Sequence, residues 1–281
     1  ETGWDISNLN LEPGDEISYY FEIFDNDAVN GSKSARTNIL QWKMPTIAEF
    51  RQQQAENSEE IKKDLEKALK ESLKVQEELK KLRDKVLQKK ELDWQSRKEM
   101  EKLLERQKQL QEQIQKAKQN FDENNKQQKE FNKQDEEMME KQEQLEKLFD
   151  ETVSEEMKKL MEDIQKLLQE MNKEEMLDKM EKLEMNGEEM NKELDRLQEL
   201  YKQLEVEQKL NEQIEQLEEL AKAQEELAKD TEDGKKSDED LKKEQEELNK
   251  KMDELMKKEE ELKKKNEELK RPQKIEDAKE E

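Results

Sequence analysis

Apolar residues between positions 61 and 269 recur at alternating spacings of three and four, in four separate runs. The first run is Ile61, Leu65, Ala68, Ser72, Val75, Leu79, Leu82 and Val86. The second is Met100, Leu103, Gln107, Leu110, Ile114, Ala117, Phe121, Asn124, Gln128, Phe131, Asp135, Met138, Gln142, Leu145 and Phe149. The third is Met176, Met180, Leu183, Gly187, Met190, Leu194, Leu197, Tyr201 and Leu204, and the fourth is Leu241, Gln245, Leu248, Met252, Leu255, Glu259, Leu262, Asn266 and Leu269. A mean spacing of about 3.5 residues is the period of a left-handed coiled coil, so the pattern predicts long paired helices.

Some positions of this seam are polar, namely Gln107, Asn124, Gln128, Asp135 and Gln142. Polar residues at core positions lower the stability of a coiled coil but restrict its register and its oligomeric state. The other interpretation is a loosely packed rod that frays at these positions.

Capping signals and slips of register divide the helical part. Thr46 with Glu49 is a capping box at its start, and Gly234 marks a loop that Ser237 ends as the next cap. Further candidate boxes are Thr152 with Glu155, Asn172 with Glu175 and Asn186 with Glu189. These signals predict a long coiled-coil helix over 46–151, short helices forming a Met-rich tip over 152–186, a returning helix over 187–229, a loop over 230–237, a coiled-coil helix over 238–271 and a disordered acidic tail over 272–281.

The first helix would be about 150 Å long at about 1.5 Å per residue. We expect the segments 188–229 and 238–270 to return along it in the antiparallel direction. The alternative is straight helices that pair between chains, and the sequence does not separate the two.

Residues 1–45 follow a different pattern, with period two. Ile17, Tyr19, Phe21 and Ile23 fall on one face of a predicted strand over 16–24. A turn signal at Pro13-Gly14-Asp15 precedes this strand, and a returning strand over 38–43 places Leu40 and Trp42 on one face. Trp4-Asp5-Ile6 reads as a further short strand. Two or three strands are only marginally stable alone, and we therefore interpret them as the C-terminal strands of a β-sandwich completed upstream or by a partner. Without that completion, the free strand edges would tend to pair with other chains.

Composition narrows the function classes. Charged residues make up 47% of the 281 residues, the hydrophobic set 30%, and the formal net charge is −24. The chain therefore belongs with long coiled coils or disordered chains rather than with proteins that have a single globular core, and the regular seam favours coiled coils.

Without Cys or His there is no thiol or imidazole chemistry. The acidic excess argues against a nucleic-acid face, because even the run 263–265 of lysines is flanked by glutamates. No stretch approaches the roughly 20 apolar residues that cross a bilayer.

Methionine is concentrated in the predicted tip, at Met157, Met161, Met171, Met176, Met180, Met185 and Met190. Thioether side chains can form an adaptable partner-binding surface or an oxidation sensor. They also serve as flexible filler in small helical cores, which is the interpretation we favour. If the helical part has a partner site, the tip is the first candidate.

Asp25, Asp27 and Asn30 with Gly31 resemble a calcium-binding loop in composition, but Val29 stands where a ligand would be needed. An ordinary loop between strands is the favoured interpretation. The many carboxylates have no predicted cleft in which acid–base chemistry could be arranged, so we expect no enzymatic activity and no cofactor.

Five stretches are similar to a known family. Residues 11–23 and 25–33 (LEPGDEISYYFEI and DNDAVNGSK), followed by Pro45-Thr46-Ile47-Ala48-Glu49-Phe50 and a long Glu/Lys/Gln/Met helix, resemble bacterial envelope proteins of the domain of unknown function 4175 family. Residues 204–210 and 269–272 also resemble it. The resemblance implies membrane helices and immunoglobulin-like domains ahead of extended helices. It therefore implies that this chain is an internal or C-terminal piece of a membrane-anchored, periplasmic or cell-envelope protein, and it supplies no catalytic residues.

The leading functional hypothesis is a structural arm that spaces or tethers envelope components. The alternative is a protein-binding module that uses the Met-rich tip or the open β edge. We expect protein partners or self-association through the coiled coil, no nucleic acid, and no direct membrane insertion by this segment.

Overall fold

A computed structural model describes residue 9 and residues 11–25, 31–131, 136–170 and 172–272. The chain is mostly α-helical with a small β segment at its N-terminal end, as the sequence predicts. The strands are β1 (Glu16–Tyr19), β2 (Glu22–Phe24), β3 (Ser34–Arg36) and β4 (Leu40–Lys43). The helices are α1 (Ile47–Gln88), α2 (Trp94–Phe131), α3 (Glu136–Thr152), α4 (Glu155–Glu170), α5 (Lys173–Glu232) and α6 (Asp238–Glu267). The predicted strand at 4–6 and most of the predicted tail at 272–281 lie outside the described residues.

The four strands form one interrupted antiparallel hairpin. β1 pairs with β4, from Glu16 opposite Lys43 to Tyr19 opposite Leu40, and β2 pairs with β3. Between the two ladders, residues 20–21 lie opposite residues 37–39, so the returning strand carries one extra residue, as in a β-bulge. The predicted single strand over 16–24 is therefore split, and the predicted turn at Pro13-Gly14 is confirmed, with Gly14 at a φ of 97°.

The capping box at Thr46 is confirmed. Its side chain accepts a hydrogen bond from the Glu49 backbone N–H, and the Glu49 carboxylate accepts one from the Thr46 N–H at 2.9 Å. These contacts satisfy donors that a helix start leaves unpaired, so the chain passes from β4 into α1 within three residues.

The prediction of one helix over 46–151 is wrong. The chain turns back at residues 89–93, where Lys89 adopts an extended conformation with a ψ of 150°. Asp93 Oδ1 accepts a hydrogen bond from the Ser96 N–H at 3.0 Å and so caps the start of α2. Ion pairs from Lys85 to Glu99 and from Lys116 to Glu60 show that α2 runs antiparallel to α1.

Helices α1 to α5 form an up-down-up-down bundle. The third position is shared by α3 and α4, which follow each other with a short break at 153–154. α5 closes the bundle antiparallel to α1, as the pair Arg83–Glu184 shows, and antiparallel to α3 and α4, as Lys141–Glu207 and Lys179–Asp163 show. The predicted return of residues 188–229 along the first helix is thus confirmed for its first part, up to Glu215 beside Arg51, whereas Gln216 and Gln224 contact α6. Within this chain the helices pair with one another.

The predicted boundary between a tip at 152–186 and a returning helix at 187–229 is wrong, because α5 is continuous from 173 to 232. Asn186 lies inside α5 and caps nothing. Thr152 is the last residue of α3 and donates to the Leu148 carbonyl, whereas Ser154 accepts from the Met157 N–H. The cap at Asn172 is confirmed, because its side chain accepts from the Glu175 N–H.

α6 follows a loop at 233–237 that contains Gly234 at a φ of 62°, and Ser237 caps it as predicted. It packs antiparallel on the second half of α5, as Lys258 and Gln216 show. The prediction that residues 238–270 return along the first helix is therefore wrong. Only the C-terminal end of α6 reaches α1, where Lys265 lies 3.8 Å from Glu59.

The first two runs of the predicted seam lie in the core, whereas the fourth run is buried only at Leu255, Leu262, Asn266 and Leu269, and its Met252 is 39% exposed. Every position of the first run is buried, and so is every described position of the second run. A single hydrophobic cluster joins α1 to α5. Within it the Phe121 ring lies 5.5 Å from the tilted ring of Phe149 and meets the Tyr201 ring edge-to-face at 6.2 Å. Among the described polar seam residues, Gln142 donates to Gln128 at 3.0 Å and Gln107 donates to the Met190 sulfur at 3.4 Å. α6 joins α5 through a separate small cluster of Val206, Leu210, Leu262 and Leu269.

Candidate functional site

The hairpin presents an apolar face that no helix covers within the described part of the chain. Cross-strand pairing places Ile17 opposite Trp42 and Tyr19 opposite Leu40, so these four side chains share one face. Phe21 continues that face, because its ring meets Tyr19 edge-on at 5.8 Å. The period-two prediction for this face is confirmed.

The exposure of this face is large. Ile23 is 72% exposed, Phe21 55% and Trp42 37%. Contiguous exposed apolar side chains of this size on a folded protein mark a surface for interaction or association. A two-stranded hairpin also leaves backbone donors and acceptors free along its outer edges. This face is therefore the strongest candidate for a contact site that the sequence predicted.

The reverse face of the hairpin carries paired polar side chains as well as the exposed ring of Phe24. Arg36 forms an ion pair with Glu22 at 3.0 Å, and its guanidinium lies 4.9 Å from the ring centre of Tyr20. Hydrogen bonds from Ser34 and Arg36 hold the pKa of Glu22 below its usual value. The two faces thus differ as the faces of a sheet do when one is solvated and the other packs on a second layer.

The predicted calcium loop is described only in part, because Asp27 and Asn30 lie outside the described residues. Asp25 Oδ1 accepts a hydrogen bond from the Lys33 N–H at 2.8 Å, and the Asp25 carbonyl accepts from the Ser32 hydroxyl at 2.7 Å. The Asp25 side chain therefore ties the two ends of the loop together. Across residues 11–25, 31–131, 136–170 and 172–272, no cluster of three acidic side chains has the arrangement of a metal site.

The methionines of the predicted tip are distributed through the bundle. The interior holds Met157, Met176, Met180 and Met190, each at most 3% exposed. Met185 is 62% exposed on α5, Met161 is partly buried on α4, and Met171 lies outside the described residues. The four buried methionines fill the core, as the filler interpretation predicts, and they are not accessible to a partner on the folded surface. Partner binding through Met161 or Met185 stays a prediction.

Met161 lies in a groove between α2 and α4, the two helices that approach each other least closely around the bundle. The groove has a volume of about 410 Å³. Its lining residues are Glu101, Leu104, Glu105, Lys108, Gln111, Lys158, Met161, Glu162 and Gln165. Sequence reasoning singled out Met161 but missed this groove, because Leu104 and Gln111 lie beside the predicted seam rather than on it.

A second arrangement that the sequence did not reveal lies where α1, α5 and α6 meet. The carboxylate of Glu205, whose side chain is only 7% exposed, is contacted by Lys62 at 2.9 Å, Lys209 at 2.7 Å and Lys265 at 3.0 Å. Burial opposes ionisation of Glu205, but the hydrogen bonds from these lysines prevail and lower its pKa to about 2. This cluster joins three helices, and its chemistry is that of a structural clamp.

None of the described helices has the length and hydrophobicity of a membrane span. Comparisons with protein-family models, with curated protein sequences and with solved structures found no match. The resemblance to the envelope-protein family therefore stays a prediction from the residues that carry it.

Proposed function

We propose that this chain is a non-catalytic structural arm of a bacterial cell-envelope protein, which spaces or tethers the components attached to it. The observation that supports this most is the unbroken 60-residue helix α5. At about 1.5 Å per residue it is about 90 Å long. It packs on α1, α3 and α4 along its first part and on α6 along its second part.

The hairpin supports the part of the proposal in which the arm is attached to a neighbouring domain or protein. It enters α1 through the Thr46 capping box and the ion pair between Lys43 and Glu49, so the connection between sheet and helix is short and locally bonded. A further β layer that covers Ile23 and Phe21 would join the arm to a neighbouring domain or protein. The envelope location and the membrane-anchored parent rest on the family resemblance alone.

Small-angle X-ray scattering on the purified chain tests the arm. We expect the mass of one 33.9 kDa chain and a longest dimension of about 90–110 Å, set by α5. A longest dimension near 50 Å would contradict an arm, and a doubled mass would mean that the chain associates with itself, through its helices or through the apolar face of the hairpin.

A spacer is sensitive to its length and insensitive to its exposed side chains. In the parent cell, we expect the spacing function to survive replacement of exposed residues on α5 and α6. We expect it to be lost when matched heptads are deleted from both helices. The opposite result would support the second candidate function, a binding module. That candidate is favoured specifically by the uncovered aromatic side chains of the hairpin.

A further inference from the structure

The end of the molecule that α6 and the second half of α5 form is two helices thick within the described part of the chain. In the four-helix part, the seam residues Leu194, Leu197 and Leu204 of α5 are at most 1% exposed. Further along α5, Ile214 is 47% exposed and Leu217 is half-buried. A pair of helices covers the side chains between them from one side, so solvent still reaches them from the other.

Met252 lies on this two-helix part of the seam, as a position of the fourth run. Two hydrogen bonds between α6 and α5 bracket it. Gln245 donates to Gln224 at 2.9 Å on one side of it, and Lys258 donates to Gln216 at 3.2 Å on the other. The Met252 side chain is 39% exposed. Its thioether therefore takes part in the contact between the two helices and is also within reach of small solutes.

Exposure and position together separate Met252 from the other described methionines. Six are at most 6% exposed and lie in the bundle interior, namely Met100, Met138, Met157, Met176, Met180 and Met190. Met139 is 39% exposed and Met185 62%, but both lie off the seam runs. Of the described methionines that are more than a third exposed, only Met252 occupies a seam position.

We propose that Met252 is an oxidation site that controls the pairing of α6 with the second half of α5. The oxidant is hydrogen peroxide. The Met252 sulfur attacks one peroxide oxygen, and the O–O bond breaks as the S–O bond forms. The other oxygen takes up the proton that the first one releases and leaves as water. The sulfur loses two electrons and the peroxide gains them.

The product of this reaction does not suit the seam. Methionine sulfoxide is polar where the thioether is apolar, so its oxygen favours water over the contact with α5. α6 therefore separates from α5 around residue 252. The C-terminal end of α6 stays attached, because Lys265 and Lys270 hold it to Glu205 and Asp195. The proposal does not depend on the structural-arm function.

Treatment of the full chain with hydrogen peroxide tests the proposal. Peptide mass spectrometry follows each methionine, and amide hydrogen exchange follows α6. Met252 should be oxidised about tenfold faster than the six interior methionines, and exchange over residues 241–256 should then become about tenfold faster while residues 262–269 stay unchanged. Oxidation of Met252 as slow as that of the interior methionines would overturn the proposal. Unchanged exchange over 241–256 after complete conversion of Met252 would overturn it as well.

Three variants assign the effect to one sulfur atom. Met252→Leu keeps an apolar side chain on the seam and should abolish the response to peroxide, whereas the control Met185→Leu, off the seam, should leave it intact. Met252→Gln places a polar side chain of similar length there and should speed exchange over 241–256 without peroxide. Met256 is half-buried one turn further along α6. If peroxide still loosens α6 in the Met252→Leu chain, another methionine such as Met256 is responsible and the proposal fails.

Discussion

The Nζ atom of Lys265, in α6, lies 3.0 Å from Oε1 of Glu205, in α5. Lys62 of α1 reaches the other oxygen of the same carboxylate at 2.9 Å, so one side chain links three helices. The neighbouring apolar cluster at Val206, Leu262 and Leu269 is small. The Glu205 contacts and the bonds from Lys270 to Asp195 and Glu199 therefore add to this small cluster in holding the end of α6 to the bundle.

Glu205→Gln should destabilise the chain by about 1–3 kcal/mol at pH 7, because it leaves three ammonium groups around a neutral amide. Urea unfolding measures the loss, and hydrogen exchange should locate it in residues 255–267 of α6. The control is Asp195→Asn, which removes an exposed pair with Lys270 and should cost less than about 0.5 kcal/mol. Equal effects of the two substitutions would mean that the Glu205 cluster is not a clamp.

The stabilisation from Glu205 should depend on pH in the acid range. Its pKa is about 2 in the folded chain against 4.5 for an ordinary glutamate. A carboxyl with a lowered folded pKa stabilises the fold above its unfolded pKa, and this stabilisation is lost as the pH falls through the folded value. The difference in unfolding free energy between the unchanged chain and Glu205→Gln should therefore be constant above pH 5 and shrink between pH 4.5 and 2.

Glu212, which also lies near Lys209, provides a control whose pKa shift has the opposite sign to that of Glu205. Burial raises its pKa, and Arg51 and Lys209 offset this only in part. A raised folded pKa means that ionisation at neutral pH opposes folding, so Glu212→Gln should stabilise the chain slightly at pH 7. That gain should shrink as the pH falls through the folded pKa of Glu212 and vanish below the ordinary value of 4.5. Identical pH profiles for the Glu205 and Glu212 variants would contradict both assignments.

Gly187→Ala should stabilise the chain by about 0.5–1 kcal/mol and raise Tm. Gly187 lies in the interior of α5, and a Cβ atom built there meets nothing within 4 Å. Alanine therefore removes backbone entropy from the unfolded chain without a clash. Thermal unfolding followed by circular dichroism is the measurement. The matched change Gly234→Ala should destabilise, because Gly234 has a φ of 62°. A loss of stability at position 187 would mean that α5 is broken there, as the capping signal at Asn186 had suggested.

Replacing Phe21 and Ile23 with threonine should weaken any association of the chain with itself without lowering its helix stability. Both side chains are more than half exposed, and the hairpin does not pack on the described helices. Sedimentation velocity across a concentration series measures the association, and Gln41→Thr on the polar face is the control. If the unchanged chain remains monomeric at every concentration, the apolar face of the hairpin does not mediate self-association.

The sequence predicted the buried face of α1 to α5 well, because the repeat of three and four residues that marks this face can be read from neighbouring positions alone. It predicted the loop before Ser237 and the cap at Asn172, but it missed one chain reversal and placed a break inside α5. The turn at 89–93 contains neither Gly nor Pro, and its signals were only a slip of register and the cap Asp93. At 186–187 the sequence offered a cap and a glycine, yet α5 continues there. Its buried residues Leu183 and Met190 pack on the bundle to either side, and that burial outweighs a glycine penalty of about 1 kcal/mol.

Candidate sites were less predictable still. The cluster of methionines was compatible with a partner-binding surface or with core filler, and Met176 and Met180, which lie on the seam, are buried as filler. The cluster around Glu205 draws on residues as far apart as Lys62 and Lys265, and the α2–α4 groove exists because two helices diverge. Neither feature has a local spacing that a single sequence could reveal.

α5 completes the bundle but follows α1 to α4 in the sequence, and this determines the order in which the contacts of the bundle can form. The α1–α2 hairpin joins residues such as Lys85 and Glu99, which are 14 positions apart. The α1–α5 seam joins Gln76 to Asn191 over 115 positions and Lys62 to Glu205 over 143. Contacts of such long range are reached late, because the entropy of closing the loop is lost before they form. During synthesis α1 to α4 emerge first and leave an apolar trough open until α5 follows, so the nascent chain is most vulnerable to misassociation while residues 173–205 are being made.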